Sequence, residues 1–485
     1  MHHLLDEFER VCAAYADRPA ACDPALSLDY RGLCAVARGL GAQIAAQTAQ
    51  PRVGILAPTS AACAAAVFAA WYAGRVPVPL NFMLAPPELG KIVRDAELDL
   101  IVATSHFAPA VQAAGLRRLP LDATTLRPGS LAVPSAGPRD CGALIYTSGT
   151  AGDPKGVCLS FDNLVQNATA CVSAAELNAD SVFLGVLPQF HGFGLTTTTI
   201  VPLLLGATVH YLPRFSPMAV VSAIAEQRVT VFITVASMFA ALVAMKDATP
   251  AQFATLTLPV SGGEPLPSRV AEAFEQRYGV RIYEGYGMSE ASPVVSLNTP
   301  RAHRAGSVGR PLPGVFVVAM DDEGQPRPTD ADGELVVRGH CVMQGYLQKL
   351  DETARALRDG ALWTGDIGRV DADGFVYITG RAKEMMIVGG ENVFPYEIES
   401  VLGEHPSIAE AAVIAARDKL RGEVPIAFVI PAAGRPAPTE ADVRSFCRTR
   451  LAAYKIPRRI HIAAELPRGP TGKILKRALR AEPSC

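Results

Sequence analysis

The sequence predicts an α/β fold followed by a strand-rich segment and a small α+β domain, and three observations predict it. Apolar runs alternate with helical patterns over the first two thirds of the chain, turn signals become dense after about residue 305, and a third pattern begins near residue 384. The 485 residues suffice for about two to four domains. Hydrophobic residues make up 49% of the chain and charged residues 19%, so the chain as a whole is not intrinsically disordered.

The first part of the chain consists of strands that alternate with helices. A buried strand at 51–58 precedes a helix of small residues at 59–73, and strand 76–80, helix 86–95 and strand 98–103 follow. Strands separated by helices form mainly parallel sheets, so this alternation predicts an α/β core. The later elements of the same kind are strands 181–187 and 207–212, helix 219–227, and strands 229–234 and 258–261.

The last third of the chain has two further patterns. Short alternating strands between turn signals predict an antiparallel sheet or a small barrel after about residue 305. From about residue 384, two helices and two strands predict a small α+β domain. The strands of the first pattern are 315–320, 334–338 and 374–379, and the second pattern has helix 395–402, strands 408–415 and 426–430, and helix 440–451.

Charge and hydropathy exclude several classes of partner. The 45 Lys and Arg against 47 Asp and Glu give a net charge of −2, which provides no basic surface for nucleic acid. The longest apolar runs, 61–74 and 199–209, are shorter than the ~20 residues that span a bilayer, and the N-terminus lacks the apolar core of a signal peptide. The short apolar runs predict no integral membrane segment, and ten cysteines without a Cys-x-x-Cys pair predict reduced thiols in a cytoplasmic protein.

The strongest chemical signal is a loop at 145–157, where a strand leads into hydroxyl residues, glycines and one lysine. Glycines let backbone N–H groups approach an anion, hydroxyls donate to phosphate oxygens, and a lysine adds a cation. An ordinary P-loop does not fit, because Pro154 precedes the lysine and Gly156 follows it, while a solvent-exposed loop is the plain alternative. The residues that predict a phosphate site are Thr147, Ser148, Gly149, Thr150, Gly152 and Lys155.

At this loop the sequence resembles the AMP-forming adenylating enzymes, which comprise acyl-CoA synthetases, luciferases and the adenylation domains of peptide synthetases. The resemblance continues in order to the C-terminus and is strongest to fatty acyl-CoA synthetases. Any one of the matching motifs could arise by chance, but their common order and spacing are specific. Beyond the loop, the motifs are 187–194, 261–266, 283–290, 363–366, 380–384 and 470–473.

The resemblance implies a division into two domains. Residues 1–382 would form a large N-terminal domain of two α/β subdomains and a small β-barrel, and residues 383–485 a small mobile α+β lid. Lys383 matches the hinge, where a solvated side chain suits a backbone that must change its φ and ψ angles. Within the lid, Gly389, Gly390 and Glu391 match the loop that lines the channel for the thiol of CoA, and the glycines would let the thin pantetheine chain pass.

The resemblance also implies how ATP and Mg²⁺ are bound. Tyr286 would pack against adenine and Ser289 would face the α-phosphate. Glu290, with Thr150, would hold Mg²⁺, for which a carboxylate is a suitable ligand. Taken alone, Glu290 is equally well the charged start of a helix. The complete ATP set is Thr147, Ser148, Gly149, Thr150, Lys155, Gly263, Glu264, Pro265, Glu284, Gly285, Tyr286, Ser289, Asp366 and Arg381.

Two parts of this set have plain alternatives. Asp366 and Arg381 match the positions that bind the ribose hydroxyls, as a carboxylate can accept hydrogen bonds from two neighbouring hydroxyls. Without the resemblance, Asp366 reads as a turn residue and Arg381 as a surface charge. The segment 262–264 matches the adenine-binding turn, although Gly-Gly before a proline is more often only a turn.

The resemblance assigns catalytic roles to Glu290 and to two further residues. His191 lies beside the substrate carboxylate in the family, where a neutral donor orients the attacking oxygen without burying an unpaired charge. The alternative is a histidine satisfied within the core. Lys473 reaches the active site during adenylation and stabilises negative charge in the transition state. Its alternative is a solvated basic tail.

The predicted acyl pocket is apolar and uncharged. Gly285 occupies the position at which dicarboxylate-specific relatives carry an arginine, so malonate-like acids would lack a partner here. A medium- to long-chain fatty acid is the leading substrate, and the wider class is an aliphatic or aryl monocarboxylic acid. The pocket residues are Phe190, His191, Phe193, Val235, Gly262, Gly285 and Met288.

The sequence thus predicts a two-step ligase. A carboxylate attacks the α-phosphate of Mg·ATP to give acyl-AMP and pyrophosphate, and the thiol of CoA then displaces AMP. One alternative acceptor is the phosphopantetheine of an acyl carrier protein, as in lipid or secondary-metabolite assembly. An alternative of another class is a non-catalytic binding protein on the same scaffold, which would be expected to lose Lys473, Glu290 or the loop hydroxyls.

Overall fold

The computed structural model describes residues 4–148, 154–418, 422–432, 434–468 and 474–480. The first sheet has four parallel strands, connected by helices Ala61–Tyr72, Pro86–Asp95 and Ala108–Ala113. Every residue of Ala61–Tyr72 is buried, because its small side chains let the helix pack closely against the neighbouring helix Tyr30–Gln47. The four strands, in spatial order, are Val76–Pro79, Arg52–Leu56, Leu100–Ala103 and Arg117–Pro120.

The second sheet has nine strands and forms the centre of the protein. The strands from Tyr283–Gly287 to Pro19–Cys22 run parallel, and those at both edges pair antiparallel. This arrangement confirms the predicted α/β core with a largely parallel sheet. The spatial order is Arg310–Pro311, Val294–Leu297, Tyr283–Gly287, Leu258–Gly262, Val231–Thr234, Val182–Gly185, Thr208–Tyr211, Pro19–Cys22 and Ser27–Asp29.

Helices cover both faces of this sheet. The sequence did not predict the helical stretch between Gly192 and Leu205, which contains the π-helical turn Thr196–Ile200. Two of its buried threonines are satisfied locally, since the Thr197 and Thr198 hydroxyls donate to carbonyls four residues earlier at 2.7 Å. The remaining helices are Leu4–Ala14, Tyr30–Gln47, Phe161–Ala175, Pro217–Glu226, Ala236–Val243 and Ser268–Tyr278.

A hairpin and an antiparallel sheet complete the larger part of the protein. Strands Cys141–Ser148 and Pro154–Ser160 form the hairpin, and Gly345–Tyr346 pairs with its second strand. The sheet confirms the predicted strand-rich segment, and helix Leu350–Ala356 precedes its short strand Leu357–Arg358. The longer strands of this sheet are Val315–Met320, Gly333–Gly339, Ala361–Val370 and Val376–Arg381.

The C-terminal part is a small α+β unit with its own apolar core, which includes Met386, Ile398 and Val429. A short 3₁₀ turn, Ala382–Glu384, connects it to the antiparallel sheet. Its two long strands exceed the predicted lengths, because they pair with each other along their full extent. The unit consists of strands Met386–Val388, Glu391–Val393, Ile408–Asp418, Gly422–Pro431 and Arg459–Ile462, with helices Pro395–Gly403 and Glu440–Arg448.

The two parts contact each other directly. Arg269, on a helix of the larger part, donates to the backbone carbonyl of Ala409 in the C-terminal unit. Phe394 lies against Gly380, where a Cβ atom would come within 2.5 Å of the ring. No helix among the described residues combines the length and the apolar character needed to cross a membrane.

One half-buried carboxyl group of the central sheet lies near this contact. Glu284 accepts a hydrogen bond of 3.4 Å from the backbone N–H of Leu266, and burial raises its pKa to about 8. Burial and, after it, the charge of Glu284 raise the pKa of Tyr396 in the C-terminal unit. Glu284 is therefore protonated at neutral pH and lies close to the C-terminal unit.

Glu284→Gln removes this titration while keeping the shape of the side chain. Because burial raises the pKa of the folded state, the carboxyl contributes its full stability below its unfolded-state pKa and loses it as the pH rises through about 8. From about pH 5 to about pH 9, the free energy of unfolding of the wild type should therefore fall relative to that of the variant, by up to a few kcal/mol. Urea unfolding at a series of pH values is the measurement.

Glu272→Gln is the matched control, because Glu272 is an exposed carboxylate of the same larger part. This variant should follow the wild-type pH dependence. Parallel curves for the wild type and Glu284→Gln would contradict a half-buried, protonated carboxyl at position 284.

Candidate active site

The carboxyl ends of four neighbouring parallel strands define the site. Val182–Gly185, Val231–Thr234, Leu258–Gly262 and Tyr283–Gly287 all end at one edge of the central sheet. Open parallel sheets bind ligands at this edge, because the loops that leave the strands meet there. The loops bring together the predicted residues that follow each strand, namely Phe190, His191, Phe193, Val235, Gly263, Glu264, Pro265, Met288, Ser289 and Glu290.

His191 begins the short helix Gly192–Leu195, and its ring is held by the backbone. Nδ1 accepts a hydrogen bond of 3.2 Å from the N–H of Phe193. A neutral imidazole that accepts at Nδ1 carries its proton at Nε2, so Nε2 is a donor. The following residue, Gly192, would place a Cβ atom 3.5 Å from the Ser289 hydroxyl, so the histidine loop lies beside Ser289. The geometry suits a side chain that orients a carboxylate by donation.

The apolar residues near His191 divide into two groups. Phe193 packs on the end of a central strand, since a Cβ at Gly262 would lie 2.8 Å from the tip of its ring. Gly262 pairs with Gly285, whose own Cβ position lies 3.2 Å from Leu297 and 3.8 Å from Val260. Phe190 instead meets Phe82 of the first subdomain edge-on, with ring centroids 5.2 Å apart. Phe193, Gly262 and Gly285 thus form one apolar cluster, and buried Val235 follows the neighbouring strand.

The predicted adenine-binding turn has a structural partner that the sequence did not reveal. Gly263 has a φ angle of +80°, which glycine adopts at little cost. The carboxylate of Glu264 accepts a hydrogen bond of 2.6 Å from the backbone N–H of Ser237, at the start of helix Ala236–Val243. A carboxylate at a helix N-terminus is favourable because it satisfies a free N–H group and interacts with the helix dipole. Glu264 thereby fixes the turn against the neighbouring helix.

The predicted ribose residues lie together with the predicted adenine residue. The Tyr286 hydroxyl donates to one oxygen of buried Asp366 at 2.7 Å, and the Arg381 guanidinium contacts the other at 2.9 Å. The charge of Asp366 raises the pKa of Arg381, while burial and then Asp366 raise that of Tyr286. A carboxylate has about four acceptor positions, so Asp366 retains capacity for sugar hydroxyls. The backbone pairing of Asp366 with Arg381 fixes this arrangement.

The predicted phosphate and metal residues lie on the hairpin and on the loop after strand Tyr283–Gly287. Thr147 and Lys155 are opposite each other near the end of the hairpin. Glu290 accepts a hydrogen bond of 2.9 Å from the Tyr346 hydroxyl, and Lys155 Nζ lies 4.9 Å from the centre of the Tyr346 ring. Burial and, after it, the charge of Glu290 raise the pKa of Tyr346.

This donor set fits magnesium. Mg²⁺ is commonly held by one or two carboxylates together with substrate phosphates and water, and a half-buried carboxylate such as Glu290 provides such a ligand. Within the described parts of the chain, no group of three or more His, Cys, Asp or Glu side chains could hold a metal by itself. A magnesium ion here would therefore depend on the phosphates of the bound nucleotide. Gly149, Thr150 and Lys473 lie outside the described residues, as does the side chain of Ser148.

The predicted thiol-channel residues lie at a tight turn of the C-terminal unit. Gly389 and Gly390 connect strands Met386–Val388 and Glu391–Val393, with φ angles of +61° and +93°. Two successive residues with positive φ explain both glycines, since side chains would be strained there. They are exposed, as is Glu391, and Lys383 is exposed within the connecting 3₁₀ turn.

Sequence reasoning missed two residues that hold the site in place. Tyr346 contacts both a predicted metal ligand and a predicted phosphate-binding lysine, and the Ser237 N–H holds Glu264. Tyr346 belongs to a strand of only two residues, which has no detectable periodicity. Ser237 acts through its backbone N–H, which leaves no mark in the sequence.

Comparison with known proteins gives the family and its relatives. The model of the AMP-binding enzyme family matches residues 8–347, and the model of the AMP-binding enzyme C-terminal domain matches residues 397–473. A feruloyl-CoA synthase of an Amycolatopsis species is 37% identical over 438 residues, which cover 88% of each chain. An indoleacetate–CoA ligase of Aromatoleum aromaticum is 34% identical over 478 residues, 94% of this chain and 93% of the relative. A long-chain-fatty-acid–CoA ligase of Escherichia coli is 31% identical over 531 residues, 99% of this chain and 94% of the relative.

Solved structures agree with these relatives. The anthranilate CoA ligase AuaEII in complex with anthranoyl-AMP superposes with a TM-score of 0.92 at 29% identity, over 98% of this chain and 96% of that one. The o-succinylbenzoate coenzyme A synthetase MenE of Bacillus subtilis, in complex with ATP and magnesium ion, superposes with a TM-score of 0.88 at 28% identity, over 98% of both chains.

The family models, the CoA ligases and the solved complexes with acyl-AMP or with ATP and magnesium all agree with the geometry of the site. The protein is an AMP-forming acid–thiol ligase that activates a carboxylic acid as its acyl-AMP and uses ATP and CoA. The chain belongs to the AMP-binding enzyme family.

Proposed function

We propose that the acid is an apolar monocarboxylate, with a medium- to long-chain fatty acid as the first candidate. The observation that supports it is the apolar cluster of Phe193, Gly262 and Gly285. The atoms nearest to a Cβ at Gly285 would be those of Leu297, the Ser296 carbonyl and Val260, none of which carries a charge. An alkyl chain gains free energy from such surroundings, whereas a second carboxylate without a partner is costly to desolvate. The proposed location is the cytoplasm, where thiols such as the free cysteines of this chain stay reduced.

An aryl monocarboxylic acid is the second candidate, because two of the relatives are named for the aromatic acids ferulate and indoleacetate. The aromatic ring of Phe193 beside two glycines would also suit a planar substrate, since offset or edge-on ring contacts are favourable. Alkyl and aryl acids are therefore tested side by side.

The proposed residue roles follow the two half-reactions. In the first, a carboxylate oxygen attacks the α-phosphorus and pyrophosphate leaves with the electrons of the broken P–O bond. His191 would orient the carboxylate through Nε2–H, while Tyr286, Asp366 and Arg381 would hold the adenosine. Bound Mg²⁺ would neutralise phosphate charge. In the second, the CoA sulfur attacks the acyl carbonyl and AMP leaves.

The nucleotide and CoA roles of the remaining residues belong to the same proposal. Lys473 would stabilise the charge that builds up during adenylation. The C-terminal unit, from Lys383 onward, would rotate between the half-reactions so that the turn at Gly389 and Gly390 faces the thiol channel. The connector Ala382–Glu384 supports this, because Ala382 and Lys383 are exposed and Glu384 forms its ion pair with Lys476 of the same C-terminal unit.

Gly285→Arg tests the substrate class. An unpaired guanidinium in the apolar cluster should lower kcat/KM for a long-chain monocarboxylate by at least tenfold, because the charge is costly to desolvate, while malonate or succinate could pair with it. The measurement is ATP–pyrophosphate exchange over a panel of alkyl, aryl and dicarboxylic acids, followed by thioester detection with CoA and with an acyl carrier protein.

Gly285→Leu is the matched control, because it adds bulk without charge. It should lower activity with long acids but gain none with dicarboxylates. Unchanged activity with long-chain acids in both variants would mean that Gly285 does not line the acyl pocket. If the wild type catalyses ATP–pyrophosphate exchange with aryl acids but not with alkyl acids, an aryl acid replaces the fatty acid as the proposed substrate.

Lys473→Ala should separate the half-reactions. Loss of a cation that stabilises the transition state should slow acyl-AMP formation by about two to three orders of magnitude, while thioester formation from presynthesised acyl-AMP stays close to wild type. The two rates are measured separately by pyrophosphate release and by thioester formation. Arg448→Ala removes an exposed cation from the same C-terminal unit and should affect neither rate. An equal loss in both half-reactions would refute the assigned role.

Lys383→Pro tests the hinge. Proline fixes its own φ angle near −65° and restricts the preceding residue, so the C-terminal unit should be confined to one orientation. We expect one half-reaction to be lost and the other retained. Lys383→Ala, which removes the side chain but leaves the backbone free, should retain both. If Lys383→Pro supports both half-reactions at wild-type rates, the rotation occurs about another residue.

A further inference from the structure

Tyr346 lies between a predicted metal ligand and a predicted phosphate-binding cation. Its hydroxyl donates to Oε1 of Glu290 at 2.9 Å, and its ring centre lies 4.9 Å from Nζ of Lys155. The first contact is a charge-assisted hydrogen bond and the second is a cation–π interaction. One side chain thus contacts two residues of opposite charge through two different groups.

The backbone fixes Tyr346 relative to both partners. The residue pairs with Val157 on the strand that carries Lys155, and the N–H of Leu347 donates to the carbonyl of Gly156 at 2.8 Å. Three residues before Tyr346, the N–H of Met343 donates to the carbonyl of Glu290 at 2.9 Å. The segment 343–347 therefore joins the hairpin to the loop that carries Glu290. These backbone bonds fix the position of the Tyr346 backbone, and the contacts with Glu290 and Lys155 then locate its ring.

The Tyr346 N–H makes one further contact, with the hydroxyl of Thr353 at 2.9 Å. Thr353 lies on helix Leu350–Ala356, so the tyrosine is also tied to the element that follows it. The side chain of Tyr346 is half-buried. These hydrogen bonds hold the backbone of Tyr346 in place, so its ring can move only by rotation about the side-chain bonds.

The two contacts have a common consequence for charge. A lysine and a glutamate this close to one aromatic ring attract each other, and an ion pair between them would occupy the groups that phosphate and Mg²⁺ require. Glu290 accepts a hydrogen bond from the Tyr346 hydroxyl, and Lys155 lies over the Tyr346 ring. Among the described residues, Glu290 and Lys155 form no ion pair with each other. The phenol occupies one carboxylate oxygen and leaves the other for a cation.

We propose that Tyr346 is a positioning residue that holds Glu290 toward Mg²⁺ and Lys155 toward the nucleotide phosphates while keeping the two charges apart. The inference rests on the proposed roles of Glu290 and Lys155. Tyr346 itself contacts neither substrate nor metal in this scheme. Its effect should appear in the coupling between Mg²⁺ and nucleotide binding and not in the binding of the acid.

Tyr346→Phe separates the two contacts, because it retains the ring and removes the donor. The affinity for ATP is measured by calorimetry with and without Mg²⁺, in the absence of acid and CoA, so that no turnover is needed. The factor by which Mg²⁺ strengthens ATP binding should fall about tenfold in the variant, the scale of a lost hydrogen bond to a charged group. ATP binding without Mg²⁺ should stay at the wild-type value.

Tyr346→Leu removes the ring as well. ATP binding without Mg²⁺ should then weaken too, because Lys155 is no longer held. Tyr377→Phe is the matched control, since Tyr377 donates to the carboxylate of Asp371 at 3.1 Å in the antiparallel sheet away from the site. This control should bind ATP as the wild type does, with and without Mg²⁺. Thermal unfolding of each variant verifies that it is folded.

Glu290→Gln and the double variant distinguish the possible failures. Glu290→Gln should abolish most of the Mg²⁺ effect, and adding Tyr346→Phe should then change it little further. If Glu290→Gln keeps the full Mg²⁺ effect, the metal role of Glu290 is wrong and the inference fails with it. If Glu290→Gln loses the effect but Tyr346→Phe keeps it, only the inference on Tyr346 is overturned. If Tyr346→Phe weakens ATP binding equally with and without Mg²⁺, the tyrosine only packs in the fold and does not position Glu290.

Discussion

Parallel pairing in the centre of the nine-stranded sheet is the constraint on which the site depends. Adjacent parallel strands end at the same edge, so the residues after Gly185, Thr234, Gly262 and Gly287 come together although they are far apart in sequence. Glycines let the loops approach this edge closely. A Cβ at Gly287 would overlap the carbonyl oxygen of Pro293, at 1.9 Å. The small residues in the motif at 283–287 are thus required by packing as well as by any ligand.

The second constraint is the link between the central sheet and the antiparallel sheet. Tyr286 belongs to the central sheet, while Asp366 and Arg381 belong to neighbouring strands of the antiparallel sheet. Arg381 is also the last residue before the 3₁₀ turn that leads to the C-terminal unit. The side chains proposed to hold the nucleotide are therefore continuous with the connector. In the proposed scheme, nucleotide binding and the orientation of the C-terminal unit would be coupled through this short stretch of backbone.

The chemistry of the site depends on which charges are neutralised and which stay available. His191 uses Nδ1 to accept a backbone N–H, which leaves a donor at Nε2. Glu284 is half-buried, and desolvation raises its pKa to about 8, which favours its uncharged form. Glu264 is held by a backbone N–H. The carboxylate available for a metal is then Glu290, half-buried and held on one oxygen.

The sequence by itself determined many of the helices and strands, because they depend on local patterns, and its motifs gave the reaction class through their resemblance to a known family. Helix Pro86–Asp95 has the predicted bounds, since Pro86 at its start and the Glu88 side chain fix its first turn. Only the tertiary structure decided which residues meet: Tyr286 and Asp366 are 80 residues apart, and Glu290 and Tyr346 are 56 apart. Periodicity and propensity act over a few residues, whereas these hydrogen bonds form only after sheets and loops have packed together. For that physical reason the motifs were recognisable in the chain, and the side chains that hold them in place were not.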